Sequence, residues 1–246
     1  MSSSLIQAAE PSAGLIKSAV ASRSRNKVYK AVVALDAQTR RDAFALRHSS
    51  YLDSGFIEPR AGGLFRDDFD DLKNVATIVV YDEGRAVASV RVCFMSRTCR
   101  DAPAHHAFPD EVDAILSDAS QNRRNFEIAE ITRLVRSPDA ANDQGLVFLL
   151  YRLAGHLGIR RDVQVILSSV RRNHIPFYRR IGFEEVVGPR AYPGLNCPMH
   201  LLKCSRAEYD RVRATIPLMN PAAAPQCMFD GFESGRPIAM PLACSA

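Results

Sequence analysis

The sequence predicts an α/β fold, a single domain in which strands alternate with helices. Segments of alternating or continuous apolar character trade places with segments of helical spacing from residue 28 to residue 203. Val75–Tyr81 and Ala86–Met95 flank the turn Asp82-Glu83-Gly84-Arg85, which signals an antiparallel hairpin. Val163–Val170 is an unbroken apolar run, the pattern of a strand covered on both faces. At 246 residues the chain is long enough for one large α/β domain. No internal repeat or linker divides it.

Taken in order, residues 1–26 are rich in Ser and Ala without sustained periodicity and read as a mobile N-terminal arm. The domain is expected over 27–216. Val28–Leu35 alternates as a first strand. Thr39–Tyr51 places Ala43, Phe44 and Leu46 at helical spacing. Residues 52–73 form a loop with Gly55, Pro59, Gly62 and Gly63 that ends in the acidic run RDDFDD. After the hairpin comes a short helix over 108–119, started by Pro109, then a strand over Asn125–Val135 that Ser137-Pro138-Asp139 breaks. Leu146–Leu157 is an apolar helix. Val163–Val170 follows, then a short helix, Phe177–Ile181, closed by Gly182, where a helix end favours left-handed dihedrals. Strands are expected at Phe183–Val187 and Pro198–Lys203. Ser205-Arg-Ala-Glu208 is a capping box that opens a last helix. Residues 217–246 read as a Pro/Ala-rich tail.

Apolar content of 47% and charged content of 24% are those of a soluble globular protein. No apolar run is long enough to span a membrane, and the N-terminus lacks the charged and apolar regions of a secretory signal. The six cysteines form no C-x-x-C pair and no zinc-site spacing. Free thiols point to a cytoplasmic protein, and no metal role is assigned to His105 and His106. The net charge is +5, but between Arg152 and Arg190 there are eight Arg, opposed by Asp162, Glu184 and Glu185. Such a patch fits an acidic protein, a phosphorylated ligand or nucleic acid. Few aromatics are interleaved with it, which disfavours nucleic acid.

The run NHIPFYRRIGFEE, Asn173–Glu185, resembles the C-terminal signature of the GNAT N-acyltransferase fold, and the element order matches it. That resemblance implies a mixed sheet whose central strands splay to admit a thioester. It also implies a tyrosine, here Tyr178, beside the sulfur to protonate the leaving thiolate. Most members bind coenzyme A through a Gln/Arg-x-x-Gly-x-Gly/Ala loop, whose amides hold the pyrophosphate at a helix N-terminus. The equivalent stretch, PDAANDQGLVFLL, offers Gly145 alone.

A closer resemblance, over about residues 40–203, is to long-chain N-acyl amino acid synthases. More distant is that to acyl-homoserine-lactone autoinducer synthases. It rests on Arg47 with Tyr51, on Asp67-Asp68-Phe69-Asp70, on Arg91 in AVASVRV, on Phe108-Pro109 and on Glu130-Ile-Thr-Arg133. Lactone synthases usually carry a tryptophan after the first helix, and this chain has none. The segment PRAYPGLNCPMHLL resembles the amino acid synthases. The resemblance implies acyl transfer from acyl carrier protein to the α-amine of an amino acid, with no tightly bound cofactor. The donor would be an acyl-phosphopantetheine or acyl-coenzyme A, and the product a lipid. A lactone synthase, a coenzyme A-dependent N-acetyltransferase and a non-catalytic module with a basic face are the competing readings.

Acyl transfer to an amine needs a base, an oxyanion site and an acid for the thiolate. Glu130, a carboxylate among Ile128, Ala129 and Ile131, is the candidate base. Thr132 shares its face, while Arg133 joins them only across a bulge. Amides near Leu134 and Val135 are the candidate oxyanion donors, and Tyr178 the acid. Arg47, Asp67, Asp70 and Arg91 are expected to order the 52–73 loop and hold the acceptor's charged groups, Arg47 or Arg91 gripping its carboxylate. Arg160, Arg161, Arg171 and Arg172 are expected together beside the thioester entrance, facing acyl carrier protein.

Overall fold

The computed structural model describes residues 27–118, 126–216, 218–219 and 226–241. The expected arm, 1–26, lies outside them. The strands are β1 (Val28–Val33), β2 (Val75–Asp82), β3 (Arg85–Ser96), β4 (Glu127–Arg136), β5 (Val165–Val170), β6 (Glu184–Tyr192), β7 (Leu195–Ser205) and β8 (Ile238–Pro241). Among the described residues they build one eight-stranded sheet in the order β6-β7-β5-β4-β3-β2-β1-β8. Neighbours are antiparallel except β4 and β5, which run parallel. Glu83 and Gly84 both take left-handed dihedrals, the geometry a two-residue hairpin turn needs to match strand twist.

Helices α1 (Ala37–Asp53), α2 (Pro103–Ala107) and α3 (Pro109–Leu116) cover one face. Helices α4 (Gln144–Arg160), α5 (Ile175–Arg180) and α6 (Arg206–Thr215) cover the other. Strand alternation divides the core accordingly. Ala129 and Ile131 of β4 join the α4 side, while Ile128 packs under α3.

Three features depart from the sequence reading. Pro103–Ala107 forms a separate helix ahead of the one expected over 108–119. The strands expected at Phe183–Val187 and Pro198–Lys203 are the longer β6 and β7, a hairpin closed at Pro193-Gly194. Residues 226–241 are not simply a tail. They contain the 3-10 helix Gln226–Phe229 and the edge strand β8, and they bury Phe232, Ile238 and Met240. Proline and alanine around them masked a short apolar strand that pairs with β1.

One break positions the site. β4 and β5 pair only from Ile128–Glu130 to Val165–Leu167. Beyond Glu130, β4 stays with β3 to Arg136, and β5 stays with β7 to Val170. The two central strands part there. A bulge at the same place puts Arg133 in the left-handed region (φ 52°).

Candidate functional site

The parted strands open a cavity of about 400 Å³. Tyr51 in the last turn of α1, Phe56 after it, Leu134 and Val135 of β4, Val147 of α4 and Tyr178 of α5 form much of its wall, with Arg136 and Arg171 at its polar side. Tyr178 is half-buried, and burial raises its pKa, so its phenol keeps the proton an acid needs. Its ring packs edge-on against Tyr151 and Phe183.

Glu130 is fully buried. Its Oε2 accepts from the Ala104 amide at 2.9 Å, and its Oε1 from the Tyr192 hydroxyl at 2.5 Å and the Ser169 hydroxyl at 3.2 Å. It has no guanidinium partner among the described residues. Burial pushes its pKa up, against the donors and the Arg91 charge that favour the carboxylate. Thr132 Oγ1 lies 2.8 Å from the Tyr192 oxygen.

The bulge turns Arg133 onto the α1 face, where it enters a buried ionic chain. Arg47 Nη1 donates to Asp70 at 2.7 Å. Arg91 Nη1 donates to Asp70 at 3.0 Å and to Asp67 at 2.5 Å. Arg133 donates to Asp67 through Nε at 3.0 Å and Nη2 at 2.6 Å, and from Nη2 to the Pro193 carbonyl at 2.8 Å. The aspartates can reach because Asp67–Asp70 form a reciprocal capping box at the 3-10 helix Asp68–Asp71. Its two arginine partners hold the Asp67 carboxyl down at about 2, against the cost of burial. The chain ties the 52–73 loop to β3 and β4. Arg47 and Arg91 are wholly buried and committed to aspartates, so the expectation that either grips a substrate carboxylate does not fit their geometry.

Gly145, the one glycine of the stretch equivalent to the pyrophosphate loop, has its amide engaged within the protein. Its amide donates to the side chain of Asp143, the N-cap of α4, at 2.9 Å. Asp143 is held in turn by the Tyr29 hydroxyl at 3.1 Å, and its carbonyl by Arg136 at 2.9 Å. A carboxylate occupies the helix start where a pyrophosphate would seek amides.

The four arginines are not one patch. Arg171 lines the cavity, with its guanidinium 4.2 Å from the Phe56 ring centroid, and Arg172 follows it, exposed. Arg160, the last residue of α4, and Arg161, its C-cap, lie at the opposite end of the central strands. There they pair with Glu233 and with Glu127, the first residue of β4. Linear proximity to Arg171 misled, because β5 runs its full length between the pairs. Tyr192, Ser169, Asp143 and Arg136 were missed as site residues. Tyr192 and Ser169 reach Glu130 from other strands, which no local spacing marks, and Asp143 reads locally as an ordinary helix N-cap.

The model of the family "N-acyl amino acid synthase FeeM" matches residues 42–205. Comparison with curated proteins finds no match. Among solved structures, FeeM, an N-acyl amino acid synthase from uncultured soil microbes, superposes with a TM-score of 0.61 at 13% identity, covering 77% of this chain and 96% of that one. The coenzyme A-dependent acyl-homoserine lactone synthase BjaI gives 0.55 at 17% identity (74% and 83% covered). The homoserine lactone synthase LasI gives 0.53 at 13% (72% and 90%). These likenesses show the GNAT acyltransferase fold, and with a family model spanning the splayed strands, the ionic chain and Tyr178, the chain belongs to the FeeM N-acyl amino acid synthase family and is an N-acyltransferase.

Proposed function

We propose that the enzyme transfers a long fatty acyl group from acyl carrier protein to the α-amine of an amino acid. The observation that carries the choice of donor is the Asp143 carboxylate on the Gly145 amide at the start of α4. A pyrophosphate there would meet a fixed negative charge and an occupied donor. The phosphopantetheine of a carrier protein has a single phosphodiester and asks for no such site. Glu130 takes the ammonium proton, amides near Leu134 and Val135 face the developing oxyanion, and Tyr178 protonates the thiolate. Arg136 and Arg171 meet the substrates' anionic groups at the cavity wall. The buried ionic chain orders the loop over the site. No helix among the described residues is long and apolar enough to cross a membrane.

The test compares acyl carrier protein and coenzyme A thioesters of one fatty acid, with free amino acids or S-adenosylmethionine as acceptor. The expected product is an N-acyl amino acid, formed with a higher kcat/KM from the carrier protein. Asp143→Asn, which keeps the cap but loses the charge, should improve coenzyme A use selectively. Arg171→Ala should raise KM for the carrier protein, and Arg161→Ala should not. Equal or better turnover of the coenzyme A thioester by the unaltered enzyme would refute the donor. Release of methylthioadenosine with an acyl lactone would refute the acceptor.

A further inference from the structure

We propose that Tyr192 is a positioning residue for Glu130, fixing one carboxylate oxygen, while the Ser169 hydroxyl is the port through which Glu130 exchanges protons with the acceptor. This rests on the reading of Glu130 as the base.

Glu130 has three hydrogen-bond donors among the described residues. Two are sealed from solvent, since Ala104 is 0% exposed and Tyr192 is 4% exposed. Ser169 is partly exposed. It stands just past Leu167, the last β5 residue paired with β4, so its β4 side opens into the gap. Strand alternation places it on the same face as Arg171, which lines the cavity. Tyr192 comes from the other direction, at the end of β6, and its hydroxyl is doubly engaged. A phenol has one hydrogen. With that hydrogen on the Glu130 carboxylate, Thr132 must donate to the phenol oxygen. Thr132, Tyr192 and Glu130 thus form a directed chain pointing into the carboxylate.

The proton step balances simply. The acceptor ammonium gives a proton to Ser169 Oγ as Ser169 gives its own to Glu130 Oε1. Ammonium becomes amine, carboxylate becomes carboxylic acid, and the serine hydroxyl is re-formed. Tyr192 gains and loses nothing. Its donation favours the ionised form that must be present for the step to begin. Other groups facing Glu130 are fixed. Arg91 and the Cys93 thiol approach from β3. On α2, His105 lies against Asp113 and His106 packs edge-on against Phe69. From β5 it is the Ser169 hydroxyl that faces it.

The experiment is the pH profile of kcat/KM for Tyr192→Phe and Glu130→Gln, each checked for folding by thermal unfolding. Tyr192→Phe keeps the ring against Arg133 but removes the donor. Glu130 should then need a higher pH to ionise, moving the acidic limb up by about one pH unit. Activity should fall about 10-fold below the limb and recover toward the unaltered plateau above it. Glu130→Gln should lose the limb and most of the rate. A uniform drop in Tyr192→Phe without displacement, or no change, overturns the positioning role. If Glu130→Gln keeps both rate and limb, the base assignment itself falls, and the Tyr192 role with it. If Tyr192→Phe proves unfolded, Thr132→Val, which removes the donor to the phenol oxygen, must show a smaller displacement in the same direction; an unmoved limb there also overturns the proposal.

Discussion

Asp67→Asn should be among the most costly single substitutions in this chain. Asp67 joins two arginines whose side chains are fully buried, making contacts of 2.5 and 3.2 Å to Arg91 and 3.0 and 2.6 Å to Arg133. The asparagine has the same shape but turns an NH2 toward guanidinium groups and removes the charge between them. The drop of the Asp67 carboxyl from 3.8 to about 2 corresponds to about 2 kcal/mol of stability. Leaving two guanidiniums under-compensated in the interior raises the cost to about 3–5 kcal/mol. Arg91 Nε and Arg133 Nη1 are buried without partners among the described residues, so nothing nearby takes up the slack. The sign with pH follows. A depressed carboxyl stabilises the fold above its unfolded value and loses that contribution as pH falls through its folded value. The unaltered enzyme should therefore lose this contribution between about pH 4 and pH 2, and Asp67→Asn should lack that component. Urea unfolding at pH 7 and pH 3 measures both. A loss under about 1 kcal/mol at pH 7, or an acid dependence identical to that of the unaltered enzyme, would refute the reasoning.

Two further outcomes are expected. Tyr178→Phe should lower kcat about 100-fold with an alkyl thioester while leaving KM nearly unchanged. An aryl thioester, whose thiolate leaves without a proton, should restore most of the rate; equal loss with both donors would remove Tyr178 as the acid. Gly155→Ala gains about 1 kcal/mol of helix propensity. Its methyl, however, would fall 1.7 Å from the Tyr209 hydroxyl, which now donates to the Tyr151 carbonyl at 3.1 Å. Overpacking of about 1–3 kcal/mol and the lost hydrogen bond should win, for a net loss of about 2 kcal/mol. A neutral urea midpoint would show that Tyr209 can withdraw freely.

The elements carried by local pattern were legible in the sequence. The β2–β3 hairpin, the apolar β5, the Gly182 stop after α5 and the Ser205 cap each write their geometry into a few neighbouring residues. The family resemblance likewise rested on short runs. What resisted reading was made by distant pairs. The bond between Tyr192 and Glu130 crosses from β6 to β4, and Asp143 meets Tyr29 from 114 residues away. The arginines between 152 and 190 show the opposite error. They are neighbours in sequence, yet a helix and a strand each carry one pair to one end of the sheet. β8 escaped because four residues leave too short a period to separate from the proline-rich stretch around them.

The pairing of β1 with β8 sets an order of assembly. Ala31 lies opposite Ile238, so almost the whole described chain separates the two partners. Every other ladder of the sheet can close before the β8 segment has left the ribosome. Until then β1 offers a row of unpaired amides and carbonyls, the template on which strands of other chains add. Closing so long a loop costs entropy that only the late burial of Phe232, Ile238 and Met240 returns. The outer edge of β1 should thus be the last part of the sheet to gain protection against hydrogen exchange and the first to lose it.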